Sequence, residues 1–219
     1  MRIVIKPLGL VSIVGAIILL SFLAFRSTLD ATRKPPVSMV SVRDIPEKPG
    51  IATSQPELTV YANGLENGWQ ERGWAKVIDY GNMSPVRGGG GTSIRGETVP
   101  YDAVKIYNPV ARLASYNYLV LFLHGGEAGG QVLTLATVAG GRSQKGIALP
   151  PLPAGQWVRV VVPMERLGIQ GRDDVYAFWL QNNTATATEF CIDDVQFLTT
   201  PPGSVTETTL SLPPDEPAS

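Results

Sequence analysis

Apolar and polar residues alternate over the middle of the chain in short runs, and each run predicts a β-strand. Runs with a period of two residues, bounded by Gly, Pro and Asn, are typical of antiparallel sheets. No long run with a helical period interrupts them, so the sequence predicts an all-β fold, an antiparallel β-sandwich. The nine predicted strands are LTVYA, WAKVIDY, TSIRG, AVKIYN, YLVLFLHG, QVLTLATV, WVRVVVP, VYAFWLQ and FCIDDVQFL.

The alternation also sorts side chains onto the two faces of each strand. In WVRVVVP the three valines at even-numbered positions are expected to face the core. In VYAFWLQ, Trp179 and Gln181 fall on the face opposite Phe178 and Leu180. The sequence therefore predicts that an outward sheet face carries aromatic and polar side chains together.

The last predicted strand, FCIDDVQFL, contains a change of phase. The apolar pair Phe190 and Ile192 and the pair Val195 and Phe197 fall on opposite parities. A β-bulge inserts one extra residue into a strand and would bring both pairs onto one face. We therefore expect a bulge at the two aspartates between these pairs.

A second pattern is found near the N-terminus, where no residue from Leu8 to Phe25 is charged. An apolar helix of this length crosses a hydrocarbon core. Residues 1–26 are therefore predicted to be a short leader and a transmembrane signal anchor, inserted through residues 8–25. A cleaved signal peptide is the main alternative, although no cleavage site with two small residues follows the run. We expect a single-pass protein of the cell membrane, with its C-terminal domain outside the cytoplasm.

Proline-rich segments flank the strand-rich part. Residues 27–56 contain Pro, Ser and Thr with scattered charge, which indicates an extended stalk. Residues 200–219 have the same character and are predicted to be a disordered tail. The remaining residues, 57–199, are enough for one domain with a single core.

Charge and composition exclude several classes of function. The formal net charge is -1 and the pI is about 5.9, so there is no basic surface for nucleic acid. The single cysteine and single histidine cannot supply a Cys/His zinc site, which needs three or four such ligands. His124 is the only candidate base for a catalytic triad, and no serine in an elbow motif lies near it. Carboxylates suited to a glycosidase are present, but none is distinguished from surface acids, so we expect no enzyme activity.

The sequence does contain the residue types that bind sugars. An aromatic ring can stack on the apolar face of a pyranose while polar side chains meet its hydroxyl groups. For several of these residues, packing in the core is an equally simple interpretation. The candidate ligand-binding residues are Trp69, Trp74, Lys105, Tyr107, His124, Trp179 and Gln181.

Asp193 and Asp194 also admit a structural calcium ion, because a bulge can aim carboxylates and carbonyl groups at one point. The alternative, which we favour, is that one aspartate accepts hydrogen bonds from local backbone and the other is solvated. No other cofactor is expected.

In their order and spacing, several motifs over nearly all of residues 57–199 resemble a carbohydrate-binding-module-like β-sandwich of the galactose-binding-like, or jelly-roll, class. The motifs are VYANGLENGWQERGW, GGGTSI, FLHGGEAGGQVLTL, LPPLPAGQWVRVVVPMERLG, YAFWLQNNT and FCIDDVQFL. The resemblance implies a jelly roll of about eight to nine strands without catalytic residues, which binds glycan on a sheet face or at loop tips. It also implies binding roles for Trp69, Trp74, Trp179 and Gln181, and a structural calcium at Asp193 and Asp194.

The sequence therefore predicts a membrane-anchored, extracytoplasmic module that binds a polysaccharide or another glycan without modifying it. The main alternative is an accessory or structural subunit of a membrane protein complex, in which the sandwich packs on a protein partner.

Overall fold

The computed structural model describes residues 57–214. The predicted anchor at 1–26 and the predicted stalk at 27–56 lie outside the described residues. In the part of the chain that is described, no helix is long and apolar enough to cross a membrane.

Within residues 57–214 the chain forms thirteen β-strands and one short 3-10 turn, Arg87–Gly89. Each of the nine predicted runs contains a strand, and the other four strands are only two residues long. The strands are β1 Glu57–Tyr61, β2 Gln70–Glu71, β3 Val77–Asn82, β4 Ser93–Thr98, β5 Ala103–Tyr107, β6 Tyr118–His124, β7 Leu133–Ala139, β8 Arg142–Ser143, β9 Ile147–Ala148, β10 Trp157–Pro163, β11 Val175–Asn182, β12 Thr188–Leu198 and β13 Thr208–Thr209.

The strands form two sheets, which confirms the expected all-β sandwich. The seven-stranded sheet has the order β13-β10-β6-β12-β4-β3, and β1 pairs with the second half of β12. The six-stranded sheet has the order β2-β5-β11-β7, with β8 and β9 paired to different halves of β7. Among the described strands every pair is antiparallel except β10 with β13.

Alternate residues of both sheets meet in one hydrophobic core, as the period of two predicted. Val158, Val160 and Val162 of β10 are buried there, together with Phe178 and Leu180 of β11. Burial of each such side chain contributes about 1.5–3 kcal/mol to folding. The alternation is therefore a packing constraint that fixes the direction of every side chain between the buried ones.

Three aromatic rings connect the two sheets within this core. The ring of Trp69 stacks on that of Phe197 in β12 at 5.8 Å between centroids. The same indole meets Phe178 in β11 edge to face at 5.6 Å, and Phe178 meets Phe197 at 6.0 Å. Because β11 and β12 belong to different sheets, this cluster ties the sheets together.

The predicted bulge in β12 is confirmed. The register between β12 and β6 shifts between Asp193 and Gln196, and Asp194 has a φ of 43°. The shift lets Ile192 and Val195 both face the core. It also turns the two aspartates toward the outer face of the seven-stranded sheet.

Arg87 covers that outer face. Its guanidinium lies 3.8 Å from the centroid of the fully buried Phe122 ring. It pairs with the carboxylate of Asp194 and, at 2.7 Å, with that of Glu207. Asp193 accepts a hydrogen bond from the Arg87 backbone N–H at 3.0 Å. A cation over an aromatic ring with two carboxylate partners fixes the Arg87 loop against the sheet.

The expectation of a disordered tail is corrected for residues 200–214, which we call the C-terminal strap. Strand β13 of the strap pairs with the edge strand β10, and the backbone N–H of Leu210 donates to the Arg159 carbonyl at 2.8 Å. Leu210 and Leu212 pack against the core. The proline-rich composition suggested disorder, but an extended chain with alternating leucines can dock on an open sheet edge.

Replacing Glu207 by Gln should lower the free energy of unfolding by about 1–3 kcal/mol, because it removes a charged partner from the largely buried Arg87. Chemical denaturation of the two proteins measures the difference. The matched control is Glu66→Gln, which makes the same change of charge at an exposed position.

The pH dependence of that difference provides a second test. Burial tends to raise the pKa of Glu207, but hydrogen bonds from Arg87 and the backbone outweigh it and hold the pKa below the usual value. A depressed carboxyl pKa stabilises the fold above the unfolded value of about 4.3, and this contribution disappears as the pH falls through the folded value. The difference between wild type and E207Q should therefore be constant above about pH 5, shrink as the pH falls below the unfolded value, and vanish once the pH is below the depressed folded value. A difference that does not shrink as the protein is acidified would contradict the assignment.

Candidate functional site

The outer face of the six-stranded sheet carries aromatic, basic and amide side chains together. The core positions of β5 and β11 include Ile106 and Phe178, so their neighbours in sequence point away from the core. We call six residues of this outward surface the aromatic face: Arg72, Trp74, Lys105, Tyr107, Trp179 and Gln181.

Segment 70–74 brings the first two of these residues onto the face. It runs antiparallel to β5, starting with Gln70 opposite Tyr107. The backbone N–H of Arg72 donates to the Lys105 carbonyl, and that of Trp74 to the Ala103 carbonyl, both at 3.0 Å. Alternate residues of the segment therefore have the same orientation as the outward residues of β5.

Two small residues allow this arrangement. A Cβ atom on Gly73 would lie 2.8 Å from the carbonyl oxygen of Ala103, so glycine permits the close approach of the two backbones. Ala103 lies between Trp74 and Gln181 on the outward face and is fully buried beneath them. Its short side chain lets the Trp74 indole reach across to Trp179, at 6.2 Å between ring centroids and 53° between planes.

The backbone of Tyr101 orients two of the side chains. Its carbonyl oxygen accepts hydrogen bonds from Nε1 of Trp74 and from Nε2 of Gln181, both at 2.9 Å. Tyr101 has a φ of 70°, and its own N–H donates to the Asn182 carbonyl. The Trp74 indole is thus held in place although 46% of the residue is exposed.

The register places a basic residue directly beside the second tryptophan. Trp179 pairs with Lys105 of β5, and Tyr107 lies on the next diagonal position. The Arg72 guanidinium lies 5.8 Å from the centroid of the Tyr107 ring, and Tyr107 meets Tyr176 edge to face at 5.7 Å. The predicted residues Trp74, Lys105, Tyr107, Trp179 and Gln181 therefore come together on one surface.

Trp69 is corrected from candidate ligand contact to core residue. Only 4% of it is exposed, and its ring packs between Phe178 and Phe197. Its pattern in the sequence, a tryptophan after Gly68 in a loop, does not distinguish a loop-tip aromatic from one that turns inward. A buried ring cannot stack on a ligand, so Trp69 is withdrawn from the site.

His124 is also separated from the aromatic face, because it lies in the seven-stranded sheet. It pairs with Trp157 of β10, whose ring it meets edge to face at 5.2 Å. Its Nδ1 accepts a hydrogen bond from the Gly126 N–H at 2.9 Å. Burial lowers the pKa of His124, which keeps the imidazole neutral. Strand alternation alone could not show which sheet this strand would join.

The carboxylates of Asp193 and Asp194 have partners within the chain. Asp193 accepts backbone N–H bonds from Arg87 and Asp194, while Asp194 pairs with the Arg87 guanidinium. Among residues 57–214 no group of three or more His, Cys, Asp or Glu side chains could hold a metal ion. The cation at this pair is thus an arginine, and the calcium ion stays a prediction. The expectation that one aspartate accepts hydrogen bonds from local backbone is met by Asp193. The expectation that the other is solvated is wrong, because Asp194 is buried and paired with Arg87.

Two residues of this surface were not identified from the sequence. Arg72 shares the alternation of Gln70 and Trp74, a signal that the loop-like composition of the segment obscured. Tyr101 is 72% exposed, and only its carbonyl contacts connect it to the face. Backbone carbonyl contacts of this kind leave no pattern in a sequence.

The aromatic face combines aromatic rings with hydrogen-bond donors. Its rings can stack on an apolar ligand surface, and its basic and amide groups can donate hydrogen bonds. None of its six side chains is a carboxylate, thiol or imidazole, the groups that most often transfer protons or attack substrates. The rings and donor groups of the face are therefore arranged so that a flat, hydroxylated ligand can lie on them.

The different positions of the tryptophans can be tested by stability measurements. Trp69→Ala should lower the free energy of unfolding by about 3–5 kcal/mol, since it leaves a cavity between the sheets. Trp74→Ala should cost only about 1 kcal/mol, the loss of one partly exposed hydrogen bond. Equal losses in urea denaturation would contradict the assignment of one ring to the core and the other to the surface.

No protein-family model matches this chain, and no curated protein does either. Among solved structures it is similar to a variant of a family 29 carbohydrate-binding module, with a TM-score of 0.49 and 12% identity over 66% of this chain and 92% of that one. Another variant, complexed with cellulohexaose, has a TM-score of 0.49 and 13% identity over 67% and 94%. A third, complexed with mannohexaose, has a TM-score of 0.48 and 12% identity over 67% and 94%. Likenesses this distant assign neither a family nor a ligand to the chain.

Proposed function

We propose that this protein is a non-catalytic glycan-binding module whose ligand lies on the aromatic face. The observation that carries the proposal is the pair of indoles, Trp74 and Trp179, which lie 6.2 Å apart on an outward sheet face. Soluble domains bury most large aromatic rings, so a held and partly exposed pair indicates a binding surface.

The physical basis of the proposal is the match between this surface and a sugar ring. The C–H face of a pyranose is apolar and stacks on an indole, whereas its equatorial hydroxyl groups need partners at the rim. Lys105 flanks Trp179 directly in the register of the sheet. Gln181 uses its Nε2 to hold the Tyr101 carbonyl, which leaves its Oε1 to accept a hydrogen bond from a hydroxyl group.

Preorganisation supports the same function. The Trp74 ring is held by the bond to Tyr101 and by the strand-like pairing of segment 70–74 with β5. Trp179 is fixed by β11, which pairs on both sides. A ligand that binds such a surface orders few side chains, so little conformational entropy is lost on binding.

The wider setting that we propose comes from the sequence. The sandwich would belong to the galactose-binding-like, jelly-roll class, and the apolar run 8–25 would anchor it in the cell membrane with the domain outside the cytoplasm. Display on a proline-rich stalk would give the aromatic face access to polysaccharide around the cell.

A protein partner is the second candidate, and an exposed apolar side chain near the aromatic face favours it. Val99 is 42% exposed and adjoins the loop of Tyr101. In this alternative the protein is an accessory subunit of a membrane complex, and this side chain would pack against another protein. Stoichiometric co-purification of a partner from native membranes, undisturbed by added sugars, would favour this alternative.

Affinity electrophoresis of the detergent-solubilised chain in gels containing polysaccharides tests glycan binding. At least one polysaccharide should retard wild type, and Trp179→Ala should weaken the retardation about tenfold or more, since about 1.4 kcal/mol of stacking is lost. Trp157→Ala is the matched control, because it removes the same side chain from the other sheet. The proposal fails if no polysaccharide retards the protein or if both variants lose binding equally.

A further inference from the structure

The aromatic face carries two cations beside its rings. Lys105 pairs across the sheet with Trp179, a geometry that places their Cβ atoms about 4.5–5.5 Å apart. Arg72 lies over the ring of Tyr107, on the same strand as Lys105. A ligand stacked on the two indoles would therefore contact positive charge.

Neither cation is neutralised by a carboxylate of the described residues. The Arg72 guanidinium contacts only the Gln70 side-chain oxygen, at 3.5 Å, and the Tyr107 ring. The Lys105 ammonium group has no hydrogen bond or ion pair within residues 57–214. Four other basic side chains of residues 57–214 do pair with acids: Arg87 with Asp194 and Glu207, Arg95 with Glu97 and Glu189, Arg172 with Asp174, and Lys76 with Glu97. Arg159 instead donates to the Thr209 hydroxyl and the Gly203 carbonyl.

Two acids that are close in sequence to Arg72 and Lys105 have other contacts. Asp102, next to β5, accepts hydrogen bonds from the backbone N–H groups of Lys76 and Val99, both at 3.1 Å. Glu71 follows the opposite alternation from Arg72 in segment 70–74. Its charge acts on Tyr80 instead: burial is the main cause that raises the pKa of Tyr80, and the Glu71 carboxylate raises it further. The six side chains of the aromatic face therefore include two cations and no carboxylate, in a chain whose formal net charge is -1.

From this charge pattern we infer that the ligand is an anionic polysaccharide, one that carries carboxylate or sulfate groups along its chain. The inference rests on the proposed glycan binding and specifies its ligand class. An arginine donates two parallel hydrogen bonds to a carboxylate or sulfate, and a lysine adds a point charge. The indoles would stack on the sugar rings while Arg72 and Lys105 select the charged substituents, so these two are specificity residues.

The first experiment compares polysaccharides that differ only in charge. Polygalacturonate and its fully methyl-esterified form share one backbone and compare an acidic polymer with a neutral one. Chondroitin sulfate and desulfated chondroitin share another backbone and both keep their uronate carboxylates, so they compare a polymer with and without sulfate. Alginate and hyaluronan extend the acidic set, and hydroxyethylcellulose and galactomannan serve as neutral polymers. We expect the detergent-solubilised full chain to bind the more acidic member of a pair at least about tenfold more tightly than the neutral or less acidic member, and about 0.5 M salt to reduce the difference. The two matched pairs separate a uronate from a sulfate ligand.

The second experiment assigns the preference to residues. The double variant Arg72→Gln with Lys105→Gln should bind the acidic polymer only as well as the neutral one. Lys76→Gln, which removes a lysine already paired with Glu97, is the matched control and should retain the preference. Thermal unfolding of each variant verifies that it is folded.

The outcomes separate the two hypotheses. If a neutral polymer binds as tightly as every acidic one, with loss in Trp179→Ala, the anionic ligand is wrong and glycan binding stands. If acidic binding survives the double variant, or falls equally in K76Q, the assignment to Arg72 and Lys105 is wrong. If no polymer binds at all, the proposed function itself is overturned.

Discussion

The cluster of Trp69, Phe178 and Phe197 is the contact on which both the fold and the proposed site depend. It joins β11 of one sheet to β12 of the other within the core. Because Phe178 must point inward to complete it, its neighbour Trp179 must point outward, since side chains alternate along a strand. Phe178 in the core and Trp179 on the proposed binding surface are thus adjacent residues, and strand alternation fixes the direction of both.

The outer faces of the two sheets differ because different segments of the chain pack on them. The bulge in β12 turns two aspartates outward on the seven-stranded sheet. Arg87 lies over the Phe122 ring there and pairs with Asp194 and with Glu207 of the C-terminal strap. Around Phe122 that face is covered by the chain itself. The six-stranded sheet instead receives segment 70–74 along its edge, which adds an exposed tryptophan and an arginine. One sheet is therefore closed by an internal ion-pair cluster, while the other keeps a rigid surface of rings and donors.

The strands and their faces could be predicted because alternation is a local property. The valines of β10, the phase of β11 and the bulge at Asp193-Asp194 all follow from parity along one segment. The position of His124 could not be predicted in this way, because its strand joins the opposite sheet only through long-range pairing. Trp69 and Trp74 share one loop-like segment in the sequence, and only the packing of Phe178 and Phe197 shows which ring turns inward.

The strap and the role of Tyr101 were beyond sequence reasoning for a related reason. Pro-rich composition indicates an extended chain but gives no information about whether a sheet edge is available to it. The Tyr101 carbonyl acts through its position between Trp74 and Gln181, which depends on the fold and not on the identity of the residue. Local patterns therefore predict elements and faces, whereas the partners that hold a surface rigid come from tertiary structure.

The most direct test of the central claim is the nuclear magnetic resonance spectrum of the indole N–H groups. The chain has four tryptophans. Trp69 lies in the core, Trp157 in the seven-stranded sheet, and Trp74 and Trp179 on the aromatic face. Titration of the ¹⁵N-labelled protein with short neutral and acidic oligosaccharides should shift the signals of Trp74 and Trp179 and leave those of Trp69 and Trp157 in place. Shifts confined to Trp157, or no shift with any oligosaccharide, would contradict the account.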